Sequence, residues 1–296
     1  MAEAPKKHSP FHSAKTEIVE RKGHTSPIEE MALAQSAYQL AFTDQAFLLR
    51  EELRPIRFQL ELLKPELTLA DHNIHSTIAF FGSARICEPE AARSKLAIVE
   101  QHAAADPTNQ TLQRQLFAAK NLLKNSYYYE QARQLAHSIS IHSKNNSNKT
   151  VVVSGGGPGI MEAANRGAYE AEEVSISLNI VLPQEPEPNP YVTPELSFLF
   201  HYFALRKMHF LLRAQGLVAF PGGFGTFDEL FEVLTLIQTG KIQPIPLLLF
   251  GKEFWNKVIN FDALIDEGVI SPQDLQLFHF VETAEEAWQH LAKILK

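Results

Sequence analysis

The sequence predicts a doubly wound α/β fold: a mostly parallel sheet with helices on both faces, plus an N-terminal helical extension and a helical insertion. Two observations predict it. Short apolar runs alternate with helix-length segments over residues 76–296, as in successive strand–helix–strand units. Three of those runs also end in glycine turns: Ile78-Ala79-Phe80-Phe81 into Gly82-Ser83, Thr150-Val151-Val152-Val153 into Ser154-Gly155-Gly156-Gly157, and Leu217-Val218-Ala219-Phe220 into Pro221-Gly222-Gly223. Parallel strands arranged this way line one crevice with their C-terminal ends.

The elements follow in order. Residues 1–27 are polar and rich in proline and histidine; they are expected to be a disordered or loosely docked tail, with no apolar core for a signal peptide. Ser26-Pro27-Ile28-Glu29 has the form of a capping box with proline at the first helical position. Leucine and phenylalanine recur at three- and four-residue steps through residues 41–63, broken by Pro55. Two or three helices are expected over residues 28–75, packed on the main domain or on a partner subunit. A first strand is expected at 77–81. The insertion, about residues 88–148, has no glycine, and predicts helices near 89–104 and 108–142. Then come a strand at 150–153, a helix at 161–172 and a strand at 174–182. Five prolines within residues 183–194 predict an extended loop at the cleft edge. A helix at 195–214, a strand at 217–220, a helix at 226–239 and a strand at 245–250 are expected next. A helix near 252–266, a strand at 278–281 and a helix at 284–295 finish a Rossmann-like domain.

Composition narrows the function. The chain has 296 residues, 45% hydrophobic, with net charge −7. That acidity argues against nucleic acid as a partner. The single cysteine, Cys87, excludes an internal disulfide and fits a reducing, cytoplasmic compartment. No apolar run reaches the roughly 18–20 residues of a membrane span. No spacing of histidine, cysteine or aspartate suggests a metal site.

The stretch Pro221-Gly222-Gly223-Phe224-Gly225-Thr226-Phe227-Asp228-Glu229 carries most of the chemistry. Glycines let backbone N–H groups turn toward an anion, and the following helix N-terminus adds partial positive charge. Glu229 then brings a carboxylate to that anion site. It has two open readings: the last member of a capping box begun by Thr226, or a group that orients water and steadies charge developing on a sugar. Arg206, His209 and Arg213 share a helical face. For Arg213 a solvated face is the simpler reading. Arg206-Lys207 stand on the helix leading into the glycine strand, where a guanidinium could meet phosphate or pair with Glu229. Glu162 reads as a first-turn dipole partner or a ligand, and Ser83 as a turn hydroxyl or a phosphate donor. His201, His209 and the cluster Tyr127-Tyr128-Tyr129 read as packing.

Together these motifs resemble the LOG family, the cytokinin riboside 5′-monophosphate phosphoribohydrolases. The family signature PGGxGTxxE stands here from Pro221 to Glu229, its arginine–lysine pair as Arg206-Lys207, and its GGGxxGxM-type loop as Gly155 to Met161. Its early turn stands as Gly82-Ser83, and residues 232–240 look like its following helix and exit. The resemblance implies hydrolysis of a nucleoside 5′-monophosphate to free base and ribose 5-phosphate, without a cofactor. It implies catalysis by Arg206 and Glu229. Substrate binding would fall to Gly82, Ser83, Gly155, Gly156, Gly157, Gly159, Met161, Glu162, Lys207, Pro221, Gly222, Gly223, Gly225, Thr226, Asp228 and Thr235. It also implies a homodimer or higher homo-oligomer. The N-terminal helices and the insertion at 88–148 are absent from the small plant-type enzymes, which favours AMP-like substrates over a cytokinin. The alternative is a non-catalytic nucleotide-binding or sensing module. A decarboxylase reading lacks the apparatus of a pyridoxal phosphate enzyme, and a dinucleotide fingerprint fails at Ile160.

Overall fold

A computed structural model describes residues 37, 39–146, 149–182 and 187–295. The expected tail and the capping box at Ser26 lie outside the described residues. The chain divides into two compact units, 1–59 and 60–296. In the first, helix α1 (Gln45–Leu48) is capped by Asp44, which accepts from the Phe47 N–H at 2.9 Å. A 3₁₀ turn (Glu51–Leu53) leads into helix α2 (Arg54–Asp71). Pro55 does not break a helix. It stands in the first turn of α2, where its missing N–H has no intrahelical partner to lose.

The second unit is built on seven parallel strands: β1 (Ser76–Phe81), β2 (Thr150–Ser154), β3 (Ser175–Ile180), β4 (Ser197–Phe200), β5 (Ala214–Ala219), β6 (Leu247–Phe250) and β7 (His279–Val281). Their order is β4-β3-β2-β1-β5-β6-β7. The chain winds outward in one direction from β1 and in the other from β5. The gap between the C-terminal ends of those two strands is therefore the topological switch point, where open α/β sheets bind ligands.

Both faces of the sheet are covered, so its strands read as unbroken apolar runs. One face buries Val151, Val153, Ile176, Leu178, Leu217 and Leu249 against Phe210, Leu230, Val233 and Trp255. The other buries Ile78, Phe80, Val152, Val218 and Phe250 against Tyr129, Leu135, Ile139, Ala163 and Ala287. The insertion is the two expected helices, α3 (Pro89–Ala105) and α4 (Gln110–Lys144). Asn109, not Thr108, caps the second, accepting from Thr111 and Leu112 N–H.

Two expectations need correction. Residues 195–214 are not one helix. A 3₁₀ turn (Pro194–Leu196) leads into edge strand β4, then helix α6 (Phe203–Leu211), while helix α5 (Ile160–Glu170) lies earlier, between β2 and β3. Phe198 and Phe200 are buried while Leu199 between them is exposed, a two-residue period that four residues were too few to announce. Between β5 and β6 runs helix α7 (Phe224–Gln238). The helix expected near 252–266 is two, α8 (Lys252–Val258) and α9 (Phe261–Asp266), because Asn260 caps a fresh start by accepting from Ala263 N–H at 3.0 Å. Helix α10 (Ala284–Leu291) closes the domain.

Candidate active site

Backbone hydrogen bonds tie the three glycine turns together at the switch point. Ser83 N–H donates to Pro221 O at 3.1 Å, and Ile160 N–H donates to Ser83 O at 3.2 Å. A side chain on Gly82 would strike Ile160, with its Cβ 2.7 Å away. The Ser83 hydroxyl accepts from Arg85 N–H at 3.1 Å, which makes it a turn hydroxyl that keeps its own proton to donate.

Helix α6 brings Arg206 to this junction. Its Nε donates to the carbonyl of Leu178, within β3, at 2.8 Å, and its guanidinium lies over the Phe210 ring, 5.3 Å from the centroid. An Nη atom stands 2.8 Å from where a Gly155 Cβ would be, and Met161 Sδ stands 2.7 Å from the same point. Gly155 is thus small so that Arg206 and Met161 can close on it. Burial draws the Arg206 pKa down, while Glu229 and Asp228 oppose that fall. No Nη hydrogen bond is made among the described residues, so these donors are available to an anion.

Glu229 lies inside α7, only 6% exposed. The capping-box reading fails. The helix begins at Phe224 with Gly223 as its N-cap and no side-chain cap, so Thr226 and Glu229 are already helical. Among the described residues the Glu229 carboxyl makes no hydrogen bond. Burial pushes its pKa up to about 7, against the pull of Arg206 and Lys207. A buried carboxyl poised near neutrality and feeling the charge of a half-buried guanidinium is the arrangement expected of proton-transfer or charge-stabilising chemistry.

Lys207 and Asp228 are spent on each other. The Lys207 ammonium pairs with Asp228 at 3.0 Å and Glu232 at 2.9 Å, pinning α6 to α7. Glu162 in the first turn of α5 accepts from the Tyr129 hydroxyl at 2.7 Å, so the tyrosine cluster does more than pack: it ties the insertion to the second glycine loop. Thr235 stands apart. Six residues beyond Glu229, it is about 9 Å along and about 240° around the helix. Its hydroxyl bonds to Phe231 O at 2.7 Å, and it lines a groove of about 540 Å³ with Lys207, Phe224 and Phe231. Among the described residues no cluster of three or more His, Cys, Asp or Glu could hold a metal.

Sequence reasoning missed the partners of α6. The Glu61 carboxylate on α2 accepts from His201 N–H at 3.0 Å and Tyr202 N–H at 3.2 Å, supplying the cap that α6 lacks. At the other end Arg213 is not on a solvated face. It pairs through both Nη atoms with Glu66 and donates to Ile74 O at 3.1 Å. His209 beside them is buried as expected, and burial lowers its pKa. No periodicity in the sequence could have matched Glu61 and Glu66 with groups about 140 residues downstream.

A family model described as "Possible lysine decarboxylase" matches residues 161–291. Over 160 residues the chain is 26% identical to cytokinin riboside 5′-monophosphate phosphoribohydrolase LOG2 of Arabidopsis thaliana, covering 53% of this chain and 71% of that one. In sequence the chain is thus similar to LOG phosphoribohydrolases. LOG7 of the same plant is 34% identical over 87 residues, 29% of this chain and 40% of its own length. A pyrimidine/purine nucleotide 5′-monophosphate nucleosidase of Escherichia coli (strain K12) is 27% identical over 158 residues, 50% of this chain and 32% of its own. The chain thus spans less than half the length of the last two. The stretch matched by the family model contains Arg206 and Glu229, whereas the turn at Gly82 and the glycines from Gly155 to Gly159 precede it.

Proposed function

We propose that this protein hydrolyses the N-glycosidic bond of a nucleoside 5′-monophosphate, AMP-like in its base, releasing free base and ribose 5-phosphate. One observation carries the reading: a buried Glu229 carboxyl on the helix after one glycine turn feels the charge of a half-buried Arg206, which closes on Gly155 of another. A simple phosphate cradle has no use for a carboxyl that burial holds largely out of water.

Water attacks C1′ of the ribose, the C1′–N bond breaks, and its electron pair leaves with the base, which takes up a proton. Glu229, as the carboxylate, stabilises positive charge developing on the sugar and receives a proton from the attacking water. Arg206 holds the phosphate with its Nη donors. The uncapped N-terminus of α7 and the glycine turns supply backbone N–H groups to the same anion. Residues 76–296 carry this reaction, with 28–75 and 88–148 as additions. The LOG resemblance supports a homo-oligomer, and the single Cys87 supports a cytoplasmic setting.

Incubation with AMP should release adenine and ribose 5-phosphate in equal amounts. Glu229→Ala should cut release by about 100-fold or more while the folded protein still binds nucleotide, and Arg206→Ala should weaken nucleotide binding and release together. Tight AMP binding by the wild type with no base released would replace this reading with that of a nucleotide sensor.

A further inference from the structure

The second glycine loop, residues 154–159, has a buried underside made of polar groups from four separate segments. For a loop to turn N–H groups toward an anion, its carbonyls must turn the other way, into the protein, and a buried carbonyl needs a donor. Here one side chain supplies it. The Asn189 amide nitrogen lies 3.0 Å from Gly156 O, 3.0 Å from Gly157 O and 3.0 Å from Asn165 Oδ1. Its backbone N–H also donates to Gly156 O at 2.9 Å.

Behind it the network continues. Asn165 Oδ1 also accepts from the Ser154 hydroxyl at 2.8 Å, its Nδ2 donates to Ser175 Oγ at 2.9 Å, and Ser154 Oγ accepts from Gly156 N–H at 3.1 Å. Asn189 is 5% exposed, and Asn165 and Ser154 are fully buried. A local turn would need only the Asn189 oxygen, which does accept from Tyr191 N–H at 3.1 Å. The amide nitrogen is left for the loop. Among the described residues the Gly157 and Gly159 N–H groups make no hydrogen bond, so they are the donors this fixed loop has to offer.

We infer that Asn189 is a positioning residue for phosphate binding: it fixes the Gly156 and Gly157 carbonyls inward, so that the loop presents N–H donors to the 5′-phosphate monoester of the substrate. The inference rests on the hydrolase reading. It requires a donor, so Asp, which matches Asn in shape, cannot replace it. The carboxylate would face two carbonyls and the Asn165 oxygen.

The test is calorimetric titration of wild type, Asn189→Asp and Asn189→Ser with ribose 5-phosphate, and with adenosine, which has no phosphate. Asn189→Ser keeps a single small donor and guards against a variant that fails to fold. Losing charge-assisted hydrogen bonds should weaken ribose 5-phosphate about 10- to 100-fold in Asn189→Asp, less in Asn189→Ser, with adenosine binding unchanged. For AMP hydrolysis, KM should rise while kcat at saturation is kept. Equal weakening of both ligands, or unchanged ribose 5-phosphate affinity in both variants, overturns the inference and leaves the hydrolase reading standing. If the wild type binds no ribose 5-phosphate, the hydrolase reading itself falls and the inference with it.

Discussion

The two longer glycine turns look alike in sequence and differ in how the protein surrounds them. After β2, a Cβ on Gly156 would collide with the Asn179 amide, and one on Gly159 with the Ser83 carbonyl and the Ala84 backbone; both glycines sit at φ +75°. After β5, Gly222 is closed off by Thr226, but a Cβ on Gly223 or Gly225 would have nothing within 4 Å. The first turn is held from behind and fits its neighbours. The second ends in an uncapped helix N-terminus open to whatever docks there. Glycine serves conformation and close approach in one turn, and an unobstructed anion seat in the other.

The sharpest way to break this contrast is Gly159→Ala. The backbone at φ +75°, ψ −130° alone costs about 1–3 kcal/mol for a residue with a Cβ, and the atoms struck are main chain, which cannot swing aside. A loss of about 3 kcal/mol or more is expected, read from the urea midpoint. A variant as stable as the wild type would show that the turn is not fixed in this form.

Next come Arg206 and Glu229, the side chains between the turns. Arg206→Ala and Glu229→Gln should each lower kcat/KM by about 100- to 10,000-fold, with tertiary structure kept by near-ultraviolet dichroism. An active Glu229→Gln would remove the proposed chemistry.

How much of this could be read from the chain alone differs between the two turns. Strands β1, β2 and β5 were legible because burial on both faces leaves unbroken apolar runs that end in glycine. Strand β4 was not, because Ser197-Phe198-Leu199-Phe200 is too short to separate period two from a helix. The family motifs named Arg206 and Glu229, but the sequence made Thr226–Glu229 look like a cap. It could not show that the helix starts at Phe224 and carries the carboxylate inside. Asn189 stands in a proline-rich stretch with no periodicity, and its partners are Gly156, Gly157 and Asn165, more than twenty residues away. Hydrogen-bond partners joined only by the fold leave no local pattern to read.

Glu229 also gives the contrast a pH signature. Its folded pKa is raised by burial to about 7, above the unfolded carboxyl value of about 4.3. Between these values the folded state holds the proton more tightly, so stability is highest below the lower value and falls as pH rises through 7. Glu229→Gln, which mimics the neutral form, should therefore melt higher than the wild type at pH 8, with the gap closing toward pH 4. In the wild type, kcat/KM should climb through pH 7 as the carboxylate forms. A stability gap independent of pH would mean the carboxyl is not held as described.

The smallest effect carries the finest distinction. Gly225 stands in the first turn of α7 with open space around it, so Gly225→Ala meets no collision and gains helix propensity. The free protein should become more stable by up to about 1 kcal/mol, opposite in sign to Gly159→Ala. The new methyl group would nevertheless occupy the space beside the exposed N–H groups where the phosphate is proposed to sit. KM for AMP and the inhibition constant of ribose 5-phosphate should both rise, without loss of kcat. If the variant gains stability and binds ribose 5-phosphate as well as before, the open turn after β5 is not the anion seat. The phosphate would then rest on the turn after β2 and on Arg206 alone.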